Sequence, residues 1–476
     1  MILERYSLAC LSHASYLVAD ETTRRAAVID PQRDVDRYLA DAAAKGLTIA
    51  HVILTHFHAD FVSGHLELAE ATGADVRVGA RGTTDYPSVP VHDGDVLDLG
   101  PGVRLVFLET PGHTPESVCV LGFDRARDAS APAAVFTGDT LFVGDVGRPD
   151  LAATGGGGPT PADLAGELHR SLVEKLLPLP DATVVYPAHG AGSLCGKALG
   201  AEPCSPLGVQ KRTNAALLAR TRDEFVRMVT KDLPELPAYF AHDAALNRRR
   251  RPTWSPAAAA AGRRLGIDEV LAHRAAGATL LDVRPAGAFA AGHVAGSLHV
   301  GLVGRFASTA GSVLDRPAPD RSVPIVVLAP PGRGPEAVLR LGRVGFDDVV
   351  GVLDDVPAAL AARPDVAARL PRTGPDVLAA AVAAGRAPWV LDVRSAAEFA
   401  AGHVPGAVNV PLTVLPRRLS EVPRDRAVLT MCETGYRSST AASLLLRAGH
   451  PSVADADGGH VAYLAMTSGD LAGGLG

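Results

Sequence analysis

About twenty residues in the second half of this chain occur twice, and that repeat limits the fold more than any other feature. Leu281-Asp282-Val283-Arg284 through Phe289-Ala290-Ala291-Gly292-His293-Val294-Ala295-Gly296 returns as Leu391-Asp392-Val393-Arg394 through Phe399-Ala400-Ala401-Gly402-His403-Val404-Pro405-Gly406. The separation exceeds the roughly 20 to 50 residues of a solenoid repeat, so one domain has been duplicated. Each copy predicts a strand ending in Asp-Val-Arg, a short helix, Gly-His and a second strand, the order of small doubly wound α/β domains. We place the copies at 255–371 and 374–476, after a first domain with a helical extension at 1–250. Three domains agree with 476 residues at roughly 150 per domain.

Ordinary globular composition supports folding throughout, with 47% apolar and 21% charged residues. A net charge of -6 gives no basic footprint for a phosphate backbone, so nucleic acid is excluded as a partner. Glu4 and Arg5 interrupt the apolar stretch from Met1 to Asp20, and no run reaches the roughly 18 apolar residues of a membrane span. The expectation is a soluble, cytoplasmic protein with no membrane partner. Five cysteines, at 10, 119, 195, 204 and 432, are too few for a disulfide scaffold in so long a chain, so an important cysteine acts as a thiol.

In the first half, short β-rich runs are followed at once by polar clusters. Strands are predicted at Ala26–Ile29, His51–Leu54, Val103–Leu108, Ala133–Phe136 and Thr183–Tyr186, and helices at Asp34–Ala44 and Phe61–Thr72. Thr55-His56-Phe57-His58-Ala59-Asp60-Phe61, Pro111-Gly112-His113-Thr114, Thr137-Gly138-Asp139-Thr140 and Tyr186-Pro187-Ala188-His189-Gly190 each follow a strand. Four loops thus bring imidazoles and carboxylates to one sheet edge, as a metal site requires. His13, His65 and His92 lack that context and are read as structural. The helix-like segment through Phe225 and Met228 ends at Asn247-Arg248-Arg249-Arg250-Arg251-Pro252, read as a linker with a solvated basic face.

The four motifs, in that order over about Met1 to Lys211, resemble the metallo-β-lactamase superfamily. The resemblance implies an αββα sandwich with metal at one sheet edge. Dinuclear zinc hydrolases of the superfamily carry a further His after the motif's Asp; here that position is Phe61, which cannot bind metal. A single metal on His56, His113 and Asp139 would form a two-His, one-carboxylate triad suited to non-haem Fe(II), with His58, Asp60 and His189 orienting ligands or moving protons around it. This arrangement resembles persulfide dioxygenases, which oxidise glutathione persulfide or another low-molecular-weight persulfide to sulfite with O2. The resemblance also makes Arg148 and Lys197 candidates for binding the substrate's anionic groups, and the position of Cys195 makes it a candidate sulfur relay. Superfamily relatives often dimerise, so a homo-oligomer is expected.

Near the end, the predicted strand Val428–Met431 and helix Ser438–Arg447 flank Cys432-Glu433-Thr434-Gly435-Tyr436-Arg437. A loop entering a helix aims backbone N–H groups and the positive dipole end at the sulfur, and Arg437 adds a cation. With the upstream repeat, this stretch resembles a rhodanese, whose cysteine carries sulfane sulfur as a persulfide; Asp392 and Arg394 match its structural signature. The loop is one residue shorter than the related Cys-x5-Arg phosphatase loop, which favours sulfur over phosphoryl transfer. The middle copy has Ala329-Pro330-Pro331-Gly332-Arg333-Gly334 in that place and no cysteine.

Together these features predict an iron-dependent persulfide dioxygenase fused to a rhodanese sulfurtransferase, exchanging sulfite, thiosulfate and persulfide. The alternative is a glyoxalase II-like zinc thioester hydrolase with an accessory rhodanese, and Phe61 opposes it.

Overall fold

The computed structural model describes residues 1–151, 158–233, 235–255, 262–314 and 323–469, with side chains at 468 and 469 excepted. The Ala-rich stretch at 256–261 that follows the expected linker lies outside them. The chain folds as two compact units: Met1–Ser255 with Gly342–Gly345, and Pro256–Leu341 with Phe346–Gly476. Among the described residues no helix is long and apolar enough to cross a membrane, and all five cysteines are free thiols.

The first unit contains two six-stranded sheets. One runs in chain order through β1 (Ile2–Leu8), β2 (His13–Ala19), β3 (Arg25–Ile29), β4 (Thr48–Ile53), β5 (Asp75–Gly79) and β6 (Val89–Val91). The other contains β7 (Val96–Asp98), β8 (Val103–Glu109), β9 (Val118–Asp124), β10 (Ala134–Gly138), β11 (Val184–Pro187) and β12 (Ser205–Pro206), again neighbours in chain order. Alternation along the strands decides which face each residue serves. Val28 and Val52 face α1 (Asp36–Ala44) and α2 (His65–Thr72), packing with Tyr38 and Leu68. Ala27, Ile29 and Ile53 face the second sheet, meeting Leu105, Phe107, Val120 and Phe136. On the far side Cys119, Val135 and Val185 pack against α3 (Pro161–Ser171), through Ala165 and Leu168, and, past α4 (Leu207–Thr213), against α5 (Arg222–Thr230), through Phe225 and Val229. The layers are therefore α, β, β, α.

Two local expectations fail for physical reasons. The helix predicted from Phe61 starts only at His65, because the Asn247 amide donates to the carbonyls of His58 and Phe61 and accepts from the Ser63 N–H. Those carbonyls are therefore engaged outside the helical ladder. The Arg run is not wholly a solvated face: Arg251 donates to Glu67 at 2.9 Å and to the Ser63 carbonyl at 2.6 Å, and Arg33 donates to the same carboxylate.

In the second unit the middle copy is a parallel sheet of four strands, ordered Leu298–His299, Thr279–Asp282, Ile325–Leu328, Val349–Leu353. The last copy is a parallel sheet of five, ordered Arg372–Thr373, Val453–Ala456, Val428–Met431, Trp389–Asp392, Val408–Asn409. The central strands of both copies are buried, Ile325–Leu328 and Val428–Met431 along their whole length.

Candidate functional site

His56 follows β4, His113 lies in the turn between β8 and β9, Asp139 follows β10 and His189 follows β11. Tertiary packing aligns these strand ends. Gly138, at φ +50°, stands so close to Thr55 that an added Cβ would lie 2.3 Å from its Oγ1, so glycine lets the β4 and β10 loops meet. One ligand atom from each of His56, His113 and Asp139 lies within 4.8 Å of the others, and all three residues are buried. His56 Nε2 and His113 Nε2 stand 3.7 and 3.4 Å from Asp139 Oδ2.

Hydrogen bonds fix which nitrogens face inward. Asp30 accepts from the Thr55 hydroxyl at 2.8 Å, so that oxygen accepts from His56 Nδ1 at 3.0 Å. His113 Nδ1 donates to the Arg148 carbonyl at 2.9 Å. Both rings are thereby left with Nε2 as a lone pair. Burial, with the neighbouring imidazoles, lowers the pKa of both rings and keeps them neutral. Burial alone would raise the pKa of Asp139, but His189 and His56 outweigh it and hold the carboxylate ionised. His113 Nε2 and Asp139 Oδ2 are buried without a hydrogen-bond partner. Two neutral imidazoles and one carboxylate with unsatisfied inward atoms fit a divalent metal ion.

Around this group, His189 donates from Nδ1 to Asp139 at 2.7 Å, and its Nε2 lies 2.9 Å from Asp60. Burial opposes charge on His189, yet the two carboxylates raise its pKa well above the usual range. His58 Nε2 lies 3.1 Å from Asp30 but without hydrogen-bond geometry. Asp60, His189 and Cys195 form a second buried group with ligand atoms within 4.8 Å. Burial, and then the Asp60 carboxylate, push the Cys195 thiol well up, a poor state for a nucleophile.

Phe61, 1% exposed, has its ring centroid 4.4 Å from that of His58 and 4.2 Å from that of His13. His13 is therefore at the site, with both nitrogens buried and without hydrogen-bond partners. Its motif-free setting concealed this, although it opens β2 and bridges to His189. Asp30, also missed, follows the predicted strand Ala26–Ile29, the same strand-then-acid pattern that marked Asp139. The candidate substrate cations are engaged elsewhere. Arg148 holds Asp150 through two nitrogens, at 2.7 and 2.9 Å, and donates to the Leu194 carbonyl. Lys197 donates to the carbonyls of Met228 and Lys231 at the C-terminal end of α5.

In the second unit, Cys432 is 1% exposed and its Sγ accepts from the Gly435 N–H at 3.1 Å. Helix Tyr436–Arg447 starts immediately after, at Gly435, which has φ +96°. Tyr436 donates to the Gly301 carbonyl of the middle copy at 2.9 Å, and Ser439 contacts His299 Nδ1 at 3.0 Å, so the cysteine-free copy braces the helix behind the loop. Glu433 pairs with Arg394 at 3.0 Å, and the Thr434 position leads into the turn. Arg437, expected to lend its charge to the sulfur, interacts electrostatically with Cys432 and also holds Glu398 with both terminal nitrogens, at 2.9 and 2.6 Å.

A family model for the metallo-beta-lactamase superfamily matches residues 8–189, and one for the rhodanese-like domain matches 267–355 and 374–466. Hydroxyacylglutathione hydrolase from Polaromonas sp. is 35% identical over 192 residues, 40% of this chain and 66% of that protein, so the chain spans just under two thirds of its length. The 2.1 Å crystal structure of a metallo-beta-lactamase from Staphylococcus aureus is 31% identical, with a TM-score of 0.64, covering 74% of this chain and 99% of that one. The crystal structure of ETHE1 from Myxococcus xanthus is 31% identical with a TM-score of 0.43, covering 52% of this chain and 100% of that one. The chain belongs to the metallo-beta-lactamase superfamily and carries two rhodanese-like domains after that fold.

Proposed function

We propose that the first unit is a persulfide dioxygenase, oxidising glutathione persulfide or another low-molecular-weight persulfide with O2 to sulfite, and that Cys432 is the nucleophile of a sulfurtransferase. The observation that carries this reading is Phe61, an apolar ring where a dinuclear site needs another imidazole. His56, His113 and Asp139 would hold one iron(II). Bound there, iron supplies open coordination positions and one-electron chemistry toward dioxygen.

The chain's own groups do the rest. Asp30, through Thr55, and the Arg148 carbonyl hold the two imidazoles in the tautomer that leaves Nε2 bare. His189 holds Asp139 Oδ1, which leaves Oδ2 for the ion. His189 with Asp60 also forms a proton store one residue away from the ligands. The rings of Phe61, His13 and His58 pack together and exclude water from that side of the site. Cys195 would relay sulfur only after losing its proton, and unchanged sulfite and thiosulfate yields in Cys195→Ser would remove it from the path.

In the second unit the Gly435 N–H and the helix start stabilise negative charge on Cys432. The second reading, a zinc thioester hydrolase, is favoured by the identity to hydroxyacylglutathione hydrolase. Metal analysis of anaerobically purified protein, with oxygen uptake on glutathione persulfide, distinguishes the two. Iron with oxygen uptake supports the dioxygenase; zinc with acyl-glutathione cleavage in the absence of air supports the hydrolase.

A further inference from the structure

The two rhodanese-like copies act as an internal control, because what both retain serves the fold and what only the cysteine copy has serves its chemistry. Strand registers align them: Asp282 pairs with Leu328, and Asp392 with Met431. Ala329 therefore stands at the Cys432 position, Gly332 at Gly435 and Gly334 at Arg437. The turn survives in both, with φ +74° at Gly332 and +96° at Gly435. The Asp-Arg pair also survives. Arg284 holds Asp282 and the Gly292 carbonyl, and Arg394 holds Asp392 and the Gly402 carbonyl.

The Glu398–Arg437 pair does not survive. In the middle copy Ala288 stands at the Glu398 position and Gly334 at the Arg437 position, so carboxylate and guanidinium are absent together with the thiol. The middle copy folds without either. In the last copy the pair is bidentate yet only partly buried, with side-chain exposures of 30% for Arg437 and 36% for Glu398, so a small solute can reach it. Four residues separate this arginine from Cys432 and place it at the first turn of the helix behind the sulfur.

We propose that Glu398 sets the affinity of the Cys432 loop for sulfur oxyanions, by occupying the Arg437 guanidinium that such an anion would otherwise bind. The proposal rests on the reading of Cys432 as a sulfurtransferase nucleophile. In the step concerned, sulfite attacks the outer sulfur of a Cys432 persulfide. A sulfur–sulfur bond forms to the sulfite sulfur, the bond to Cys432 Sγ breaks, and its electron pair returns to Sγ as thiolate. Thiosulfate leaves, with no outside oxidant or reductant. Glu398 touches neither sulfur; it is a positioning residue that acts through Arg437, and its carboxylate is a built-in competitor of the dianion.

The test uses the full chain, loaded at Cys432 with inorganic polysulfide and discharged to sulfite or to uncharged 2-mercaptoethanol. Glu398→Gln is suitable because Glu398 also closes a capping box with Ser395, and Gln retains that role. The expected result is a KM for sulfite lowered about two- to fivefold, the scale of a partly exposed ion pair, with kcat and the KM for 2-mercaptoethanol unchanged. Glu398→Ala must move the sulfite KM in the same direction, and neither substitution should move it when Arg437→Gln is also present. An unchanged or raised sulfite KM, or an equal fall for both acceptors, overturns the proposal. Absence of discharge from the wild-type chain to either acceptor overturns the sulfurtransferase reading instead.

Discussion

The Phe61 ring packs against the His58 imidazole with centroids 4.4 Å apart and planes inclined at 37°. The contact is dispersive, and the same ring also packs against His13 at 4.2 Å. His58 is thereby positioned by an apolar neighbour, and two buried groups of ligand atoms stand near it, one on His56, His113 and Asp139 and one on Asp60, His189 and Cys195.

Phe61→His should convert the centre. The variant is expected to gain a second metal equivalent and to lose about tenfold or more of its oxygen uptake, on the scale seen when groups around a metal are changed. Elemental analysis alongside an oxygen electrode checks this; unchanged stoichiometry with unchanged uptake would contradict it.

Asp139→Asn keeps the shape but removes the charge that His189 and His56 stabilise. Metal content should fall to near zero and persulfide oxidation with it, while discharge of persulfide from Cys432 persists, since Cys432 belongs to the other compact unit. Parallel assays on one preparation would show whether the two losses separate.

His189→Gln tests the residue between Asp139 and Asp60. Losing its contacts to both carboxylates should weaken metal affinity by about 10- to 100-fold. Competition with a chelator of known affinity gives the number; no weakening would remove His189 from the set that orients Asp139.

Asp455 predicts a pH dependence. It is 1% exposed, and burial raises its pKa from 3.8 to about 7. The folded state therefore binds this proton more tightly than the unfolded one, so the contribution falls as pH rises from about 4 to about 7 and is flat above, by at most about 4 kcal/mol. Asp455→Asn should flatten that fall in the thermal midpoint of the second unit. A wild-type midpoint that rises over the same interval would contradict the assignment.

Much of this was legible in the chain. His56, His113, Asp139 and His189 lie in short motifs directly after buried strands, a local pattern the sequence shows, and packing of the two sheets brings those strand ends together. The strand predicted at Val428–Met431 is present with those bounds, and the helix predicted from Ser438 starts two residues earlier, at Tyr436. What stayed hidden depends on partners distant in sequence. His13 has no motif and reaches the site only because β2 bridges to His189. The helix predicted from Phe61 is shortened by Asn247, and Arg251 is drawn down by Glu67; neither link leaves a local pattern. Glu398 is one acid among the chain's 52 acidic residues until folding sets it on Arg437.

The most direct test of the central claim is the metal inventory of anaerobically purified full chain, measured with oxygen consumption on glutathione persulfide. The account predicts about one iron per chain and oxygen consumed in step with sulfite formed. A well-occupied zinc pair, with acyl-glutathione cleaved equally well with and without air, would contradict it.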